Sequence, residues 1–155
     1  MSIKFVNGNI LTFPERDEDT IICHQVNCKG VMGAGLAKQI RDKWPVVYNE
    51  YIRVIDVCDK LMLGSYQNIK VGPHLYVANL FGQDGYGRDK RYTNYAALTA
   101  ALFRAMKENP HATFRIPYGF GCGLAGGDWE TVLSIIKEIS DTWNVNVEIW
   151  VLPKR

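Results

Sequence analysis

Two glycine-rich segments constrain this chain more than any other feature of it. Residues 27–37 read NCKGVMGAGLA and residues 118–129 read YGFGCGLAGGDW. Each follows a short apolar run rich in β-formers, TIICHQ at 20–25 and TFRIPY at 113–118, and each precedes a stretch with helical spacing of apolar residues. In such a connection no Cβ blocks the approach of a ligand to the main-chain N–H groups. The helix start that follows adds its own unpaired N–H groups and the positive end of its dipole, so phosphate is the natural guest. One loop alone is equally a tight turn with no ligand. Two, at the ends of neighbouring strands, would clamp a diphosphate between two sets of amides. The second holds Gly119, Gly121, Gly123, Gly126 and Gly127, more glycine than a single turn needs.

Around these loops, short apolar runs alternate with amphipathic stretches. Strands are expected over 3–6, 20–25, 65–70, 74–80, 113–118 and 145–152. Helices are expected from about Ala34 to Trp44, from Pro45 onward, near 93–107 and from Asp128. The apolar faces are Leu36, Ala37, Ile40 and Trp44; then Val47, Tyr48, Tyr51, Ile52 and Ile55; then Tyr95, Leu98, Ala101, Leu102, Ala105 and Met106; then Trp129, Val132, Leu133, Ile136 and Ile139. Asp128 reads as a helix N-cap rather than a catalyst. Polar loops are expected at 14–19 and 82–91. This order predicts a mixed, largely parallel α/β sheet sandwiched between helices, with a ligand crevice beyond the carboxyl ends of the strands. At 155 residues the chain suits one domain, 1–155.

Several classes are disfavoured. The phosphate-loop pattern fails because Gly35 is followed by Leu36 and Ala37 rather than by Lys and Ser or Thr. The dinucleotide fingerprint fails because Lys38 stands where its third glycine is needed, so a dinucleotide-dependent oxidoreductase is unexpected. A net charge of +2 is too small to imply nucleic-acid binding. The four cysteines form no CxxC pair, and no metal-ligand spacing is present, so no metal and no cofactor are expected. Cys23 and Cys122 are expected to be buried, and reduced thiols fit a cytosolic protein. The N-terminus lacks a signal-peptide pattern and no apolar run approaches the ~20 residues of a membrane span, so a cytoplasmic protein without a membrane partner is expected.

The segments NGNIL (7–11), HQVNCKGVMGAGLAKQI (24–40), YVANLF (76–81) and IPYGFGCGLAGGDW (116–129) together resemble the macrodomain family. The likeness is to the branch of ADP-ribose 1″-phosphate phosphatases and ADP-ribosyl hydrolases. It implies a three-layer α/β/α fold with an ADP-ribose cleft. Asn9 and Ile10 would contact the ligand, Asn9 standing where the family commonly has an acid that receives the adenine amino group. Asn27 would hydrogen-bond the distal ribose. Val31, Met32, Gly33, Ala34 and Gly35 would line the diphosphate, while Tyr118, Gly119, Phe120, Gly121, Cys122, Gly123 and Leu124 would close over it. In phosphatase-like members a histidine at the position of His24 is implicated in catalysis. The lysine/aspartate type carries an acid after GCGL, where this chain has Ala125.

A catalytic His24 needs a carboxylate partner. Asp84 is ranked first and Asp89 second, both in FGQDGYGRDKRY (81–92), where Arg88, Lys90 and Arg91 offer positive charge to a terminal phosphate. The catalytic set expected is therefore His24, Asn27 and Asp84. The expected function is hydrolysis at the distal ribose of an ADP-ribose derivative, either its 1″-phosphate or an ADP-ribosylated macromolecule. The alternative is an ADP-ribose-binding module without turnover.

Overall fold

The strand at Thr20–Val26 buries six of its seven residues, leaving only Gln25 half-buried. A strand so apolar on both faces must lie inside a sheet covered on both sides. The computed structural model, which describes residues 3–12 and 16–153, places it there. The six strands are β1 (Ile3–Asn7), β2 (Thr20–Val26), β3 (Tyr66–Gly72), β4 (Leu75–Phe81), β5 (Thr113–Pro117) and β6 (Asn146–Val151). Their order is β1-β6-β5-β2-β4-β3. Every neighbouring pair is parallel except β3–β4, a hairpin at one edge. The sheet is thus mixed and mostly parallel, as the element order predicts.

Four helices cover it: α1 (Gly35–Lys43), α2 (Pro45–Cys58), α3 (Tyr95–Glu108) and α4 (Trp129–Trp143). Alternate residues of a strand face opposite sides. Cys23, Ala78, Leu80, Phe114 and Ile116 therefore pack with the Leu98–Met106 stripe of α3 and with Val132, Ile136 and Ile139 of α4. On the other side, Ile22, Val26, Val77 and Phe81 pack with Ile40 of α1 and with Val47, Tyr51 and Ile55 of α2. The result is three layers, α1 and α2 against one face and α3 and α4 against the other.

Local chemistry explains the helix ends. Asn94 and Asp128 are N-caps, accepting from Ala97 N and Thr131 N, each at 3.0 Å. The cap at Asn94 moves the start of α3 to Tyr95. Pro45 opens α2 at a position that needs no N–H donor. A 3-10 turn at Asp59–Met62, which apolar periodicity does not reveal, links α2 to the edge hairpin. Of the expected polar loop at 14–19, residues 14 and 15 lie outside the described residues. The four cysteines are unbridged thiols. Cys23 is buried as expected, but Cys122 is half-buried, and the other fully enclosed thiol is Cys28.

A cleft between two glycine-rich loops

Strands β2 and β5 are parallel neighbours, so the loops that leave them emerge at the same end of the sheet. There they form facing walls of one cleft of about 680 Å³. Asn27, Val31, Gly33, Ala34 and Gly35 line one wall. Tyr118, Gly119, Phe120, Gly121, Gly123 and Leu124 line the other. The start of α1 opens into the cleft through Ala34, Gly35, Leu36 and Ala37. That helix has no side-chain N-cap and no acid in its first turn, so no side chain of its own competes for its N-terminal donors. Gly35 and Gly119 have φ of +58° and +79°, and a Cβ at either would meet nothing within 4 Å. The bare backbone at both points is open toward the cleft.

The first loop is held from beneath. The Tyr51 hydroxyl accepts from Gly30 N at 3.0 Å and Val31 N at 3.1 Å, and lies 2.7 Å from both the carbonyl and the Oδ1 of Asn27. Burial pushes the phenol well above its usual range, so it remains a donor. Asn27 Oδ1 also accepts from Lys29 N at 3.0 Å and Val31 N at 3.3 Å, and its Nδ2 donates to Val31 O at 2.8 Å. Asn27 is therefore chiefly a staple for its own loop, with one amide hydrogen left for a ligand. Tyr51→Phe strands the loop donors and is expected to cost about 2 kcal/mol of stability, checked by urea unfolding; a change below about 0.5 kcal/mol would contradict this role.

His24 sits on the floor of the cleft and is only 2% exposed. Its Nε2 is hydrogen-bonded to Asn79 Oδ1, the residue opposite it in β4, and its Nδ1 is buried without a partner. Burial lowers its pKa to about 4, against a smaller opposing effect of the Asn79 bond. The ring is neutral at pH 7 and can accept a proton there but not supply one. This depressed value has a consequence for stability. In the unfolded chain the ring titrates near 6.5, so below that pH the unfolded state binds a proton that the folded state refuses. The stability is complete above pH 6.5 and falls by about 3 kcal/mol as pH drops toward 4. Melting curves from pH 7.5 to 4.5 should fall more steeply for the native protein than for His24→Asn; parallel curves would refute the shift.

The carboxylate expected beside His24 is elsewhere. Asp84 faces Lys29 at 3.5 Å and Lys60 at 4.0 Å, and its main-chain carbonyl accepts from Cys28 N at 2.9 Å. Asp89 is exposed and accepts from the Tyr92 hydroxyl at 2.7 Å. The partner of His24 is the amide of Asn79, because register in the parallel β2–β4 pair decides which side chains meet. Four further expected contacts also differ. Ile10 and Met32 are core residues, 6% and 1% exposed. Asn9 accepts from Leu11 N at 2.9 Å in a turn of its own and lines a separate hollow with Thr12, Gln39 and Trp44. Cys122 donates to Phe120 O at 3.2 Å, and burial pushes its thiol up to about 11, leaving it unreactive at neutral pH.

Two cleft residues carried no signal in the apolar pattern. Gln25 Nε2 donates to Gln83 Oε1 at 2.7 Å and to Thr93 Oγ1 at 3.0 Å. Thr93 Oγ1 in turn donates to Gly121 O at 2.5 Å. This network ties the second glycine loop to the segment 82–93. A polar residue at the end of so apolar a strand is the one hint that Gln25 offered. From the same segment, exposed Tyr86 and Arg88 form the rim of the cleft. Among the described residues, no group of three or more His, Cys, Asp or Glu is placed to hold a metal ion, and no helix is long and apolar enough to cross a membrane.

No protein-family model matches the chain. The ADP-ribose 1″-phosphate phosphatase of Saccharomyces cerevisiae is 27% identical over 177 residues, covering 94% of this chain and 97% of that protein. A solved structure of a protein of unknown function from Bacteroides thetaiotaomicron superposes with a TM-score of 0.87 at 30% identity, covering 97% of this chain and 98% of that one. A macrodomain protein from Streptomyces coelicolor superposes with a TM-score of 0.80 at 26% identity, covering 96% and 98%.

Proposed function

The chain belongs to the macrodomain family, and we propose that its cleft binds ADP-ribose and that it hydrolyses ADP-ribose 1″-phosphate. The observation that carries the reading is the convergence of both glycine loops on one cleft with His24 at its floor. The diphosphate lies between the amides of Gly33–Gly35 and those of Gly119–Gly123, where the open start of α1 adds the positive end of its dipole. The distal ribose points toward His24 and Asn27. Arg88, exposed on the rim, supplies charge to the terminal phosphate.

Neutral His24 acts as the base, taking a proton from the water that attacks phosphorus and returning it to the sugar oxygen as the P–O bond breaks, so the ring ends neutral. Ala125 leaves no acid after GCGL, which argues against the lysine/aspartate route. The yeast relative's activity supports the choice of substrate. One observation favours the alternative of a module that binds without turnover: no carboxylate orients His24. Calorimetric titration with ADP-ribose, followed by phosphate release from its 1″-phosphate, separates the two. Saturable binding with release supports the enzyme. Binding without release leaves the binding module, and absence of binding refutes both.

A further inference from the structure

Pairing of β2 with β4, and of β4 with β3, sets His24, Asn79 and Gln67 side by side across the sheet. Their side chains form a continuous row. His24 Nε2 meets Asn79 Oδ1, Asn79 Nδ2 donates to Gln67 Oε1 at 3.1 Å, and Gln67 Nε2 donates to the main-chain carbonyl of Glu50 in α2 at 3.0 Å. One member of this row has no choice of polarity: a carbonyl oxygen can only accept. Gln67 must therefore turn its NH2 toward Glu50 and its oxygen toward Asn79. Asn79 must answer with its NH2 and turn its own oxygen toward His24. The proton of the neutral imidazole is then confined to Nε2.

We infer that Gln67, on the edge strand and outside the cleft, is a positioning residue that sets the tautomer of His24 and leaves the Nδ1 lone pair as the atom that takes a proton from the bound substrate or its attacking water. The catalytic half of this inference rests on the reading of His24 as the base. A second observation points the same way. His24 Nδ1 is buried without a hydrogen-bond partner, in a residue that lines the cleft, whereas most buried polar atoms are paired. An acceptor held ready in this way fits a ligand that brings its own donor. Asn79, with no exposed surface, conveys the orientation and is shielded from solvent that would scramble it.

The test is nitrogen-15 NMR of the imidazoles in the uniformly labelled protein at pH 7, with the His24 signals assigned by their loss in His24→Ala. The native protein should show His24 with a protonated Nε2 and an unprotonated Nδ1. Gln67→Leu frees the Asn79 amide to turn over and should give a mixture of tautomers. Gln67→Glu loses the bond to the Glu50 carbonyl but keeps an acceptor toward Asn79, and should restore the single Nε2–H form, which distinguishes orientation of Asn79 from mere packing. With ADP-ribose 1″-phosphate as substrate, Gln67→Leu should lower kcat by about tenfold with little change in KM. An Nδ1–H tautomer in the native protein, or an unmixed Nε2–H form in Gln67→Leu, overturns the inference. If the tautomers behave as stated but the native protein releases no phosphate, the relay stands and the catalytic reading fails.

Discussion

Gly33→Val is expected to weaken ADP-ribose binding by about 100-fold or more, some 2.7 kcal/mol, in a protein that still folds. Gly33 does not lie in the left-handed region, and a Cβ built there meets only Val31 Cγ1 at 3.7 Å, ordinary contact. The added side chain therefore disturbs little of the protein and projects into the cleft, the space proposed for the diphosphate. Gly123 is the matching site on the opposite wall, where a Cβ meets nothing within 4 Å. Gly123→Val should be equally damaging, since both walls hold one ligand. Gly121 and Gly127 are poorer tests. Gly121 has φ of +73°, and a Cβ at Gly127 would approach Gly121 O at 2.6 Å, so substitution there would damage the loop itself. Calorimetry on the two valine variants, beside melting curves within about 2 °C of native, checks the prediction. Native-like affinity in folded Gly33→Val would contradict the proposed site.

His24→Ala should reduce phosphate release from ADP-ribose 1″-phosphate by about 1,000-fold while ADP-ribose affinity changes by less than about threefold. The separation follows from where the contacts lie. In the proposed mode of binding, main-chain amides of the two loops hold the diphosphate, and the imidazole touches only the reacting end. A parallel loss of binding and turnover would make His24 a structural residue of the cleft floor. Unchanged turnover in the variant would remove it from the mechanism.

The strands, helices and both loops were legible in the sequence because each depends on local information. Apolar periodicity marks the faces of α1 to α4, and Asp128 announces its helix as an N-cap. What was not legible depends on residues far apart in the chain. Asn79 lies inside YVANLF and looks like an ordinary strand residue. Only the register of β4 against β2 brings it to His24, across 55 positions. Asn27 was read as a ligand contact and lines the cleft, but its second role, holding its own loop with Tyr51 from the second helix, was not legible. Asp84 follows the right strand, yet Lys29 and Lys60 provide its charge partners. Asn9 is turned to its own Asx turn. In each case a short polar side chain had several partners within reach, and packing chose among them.

The central claim is that both glycine loops grip one diphosphate. A titration of the nitrogen-15-labelled protein with ADP-ribose, followed by amide shifts, tests it residue by residue. The amides of Gly33–Gly35 and of Gly119–Gly123 should move together along one saturation curve. Shifts confined to a single loop, or a saturable response that bypasses both, would contradict it.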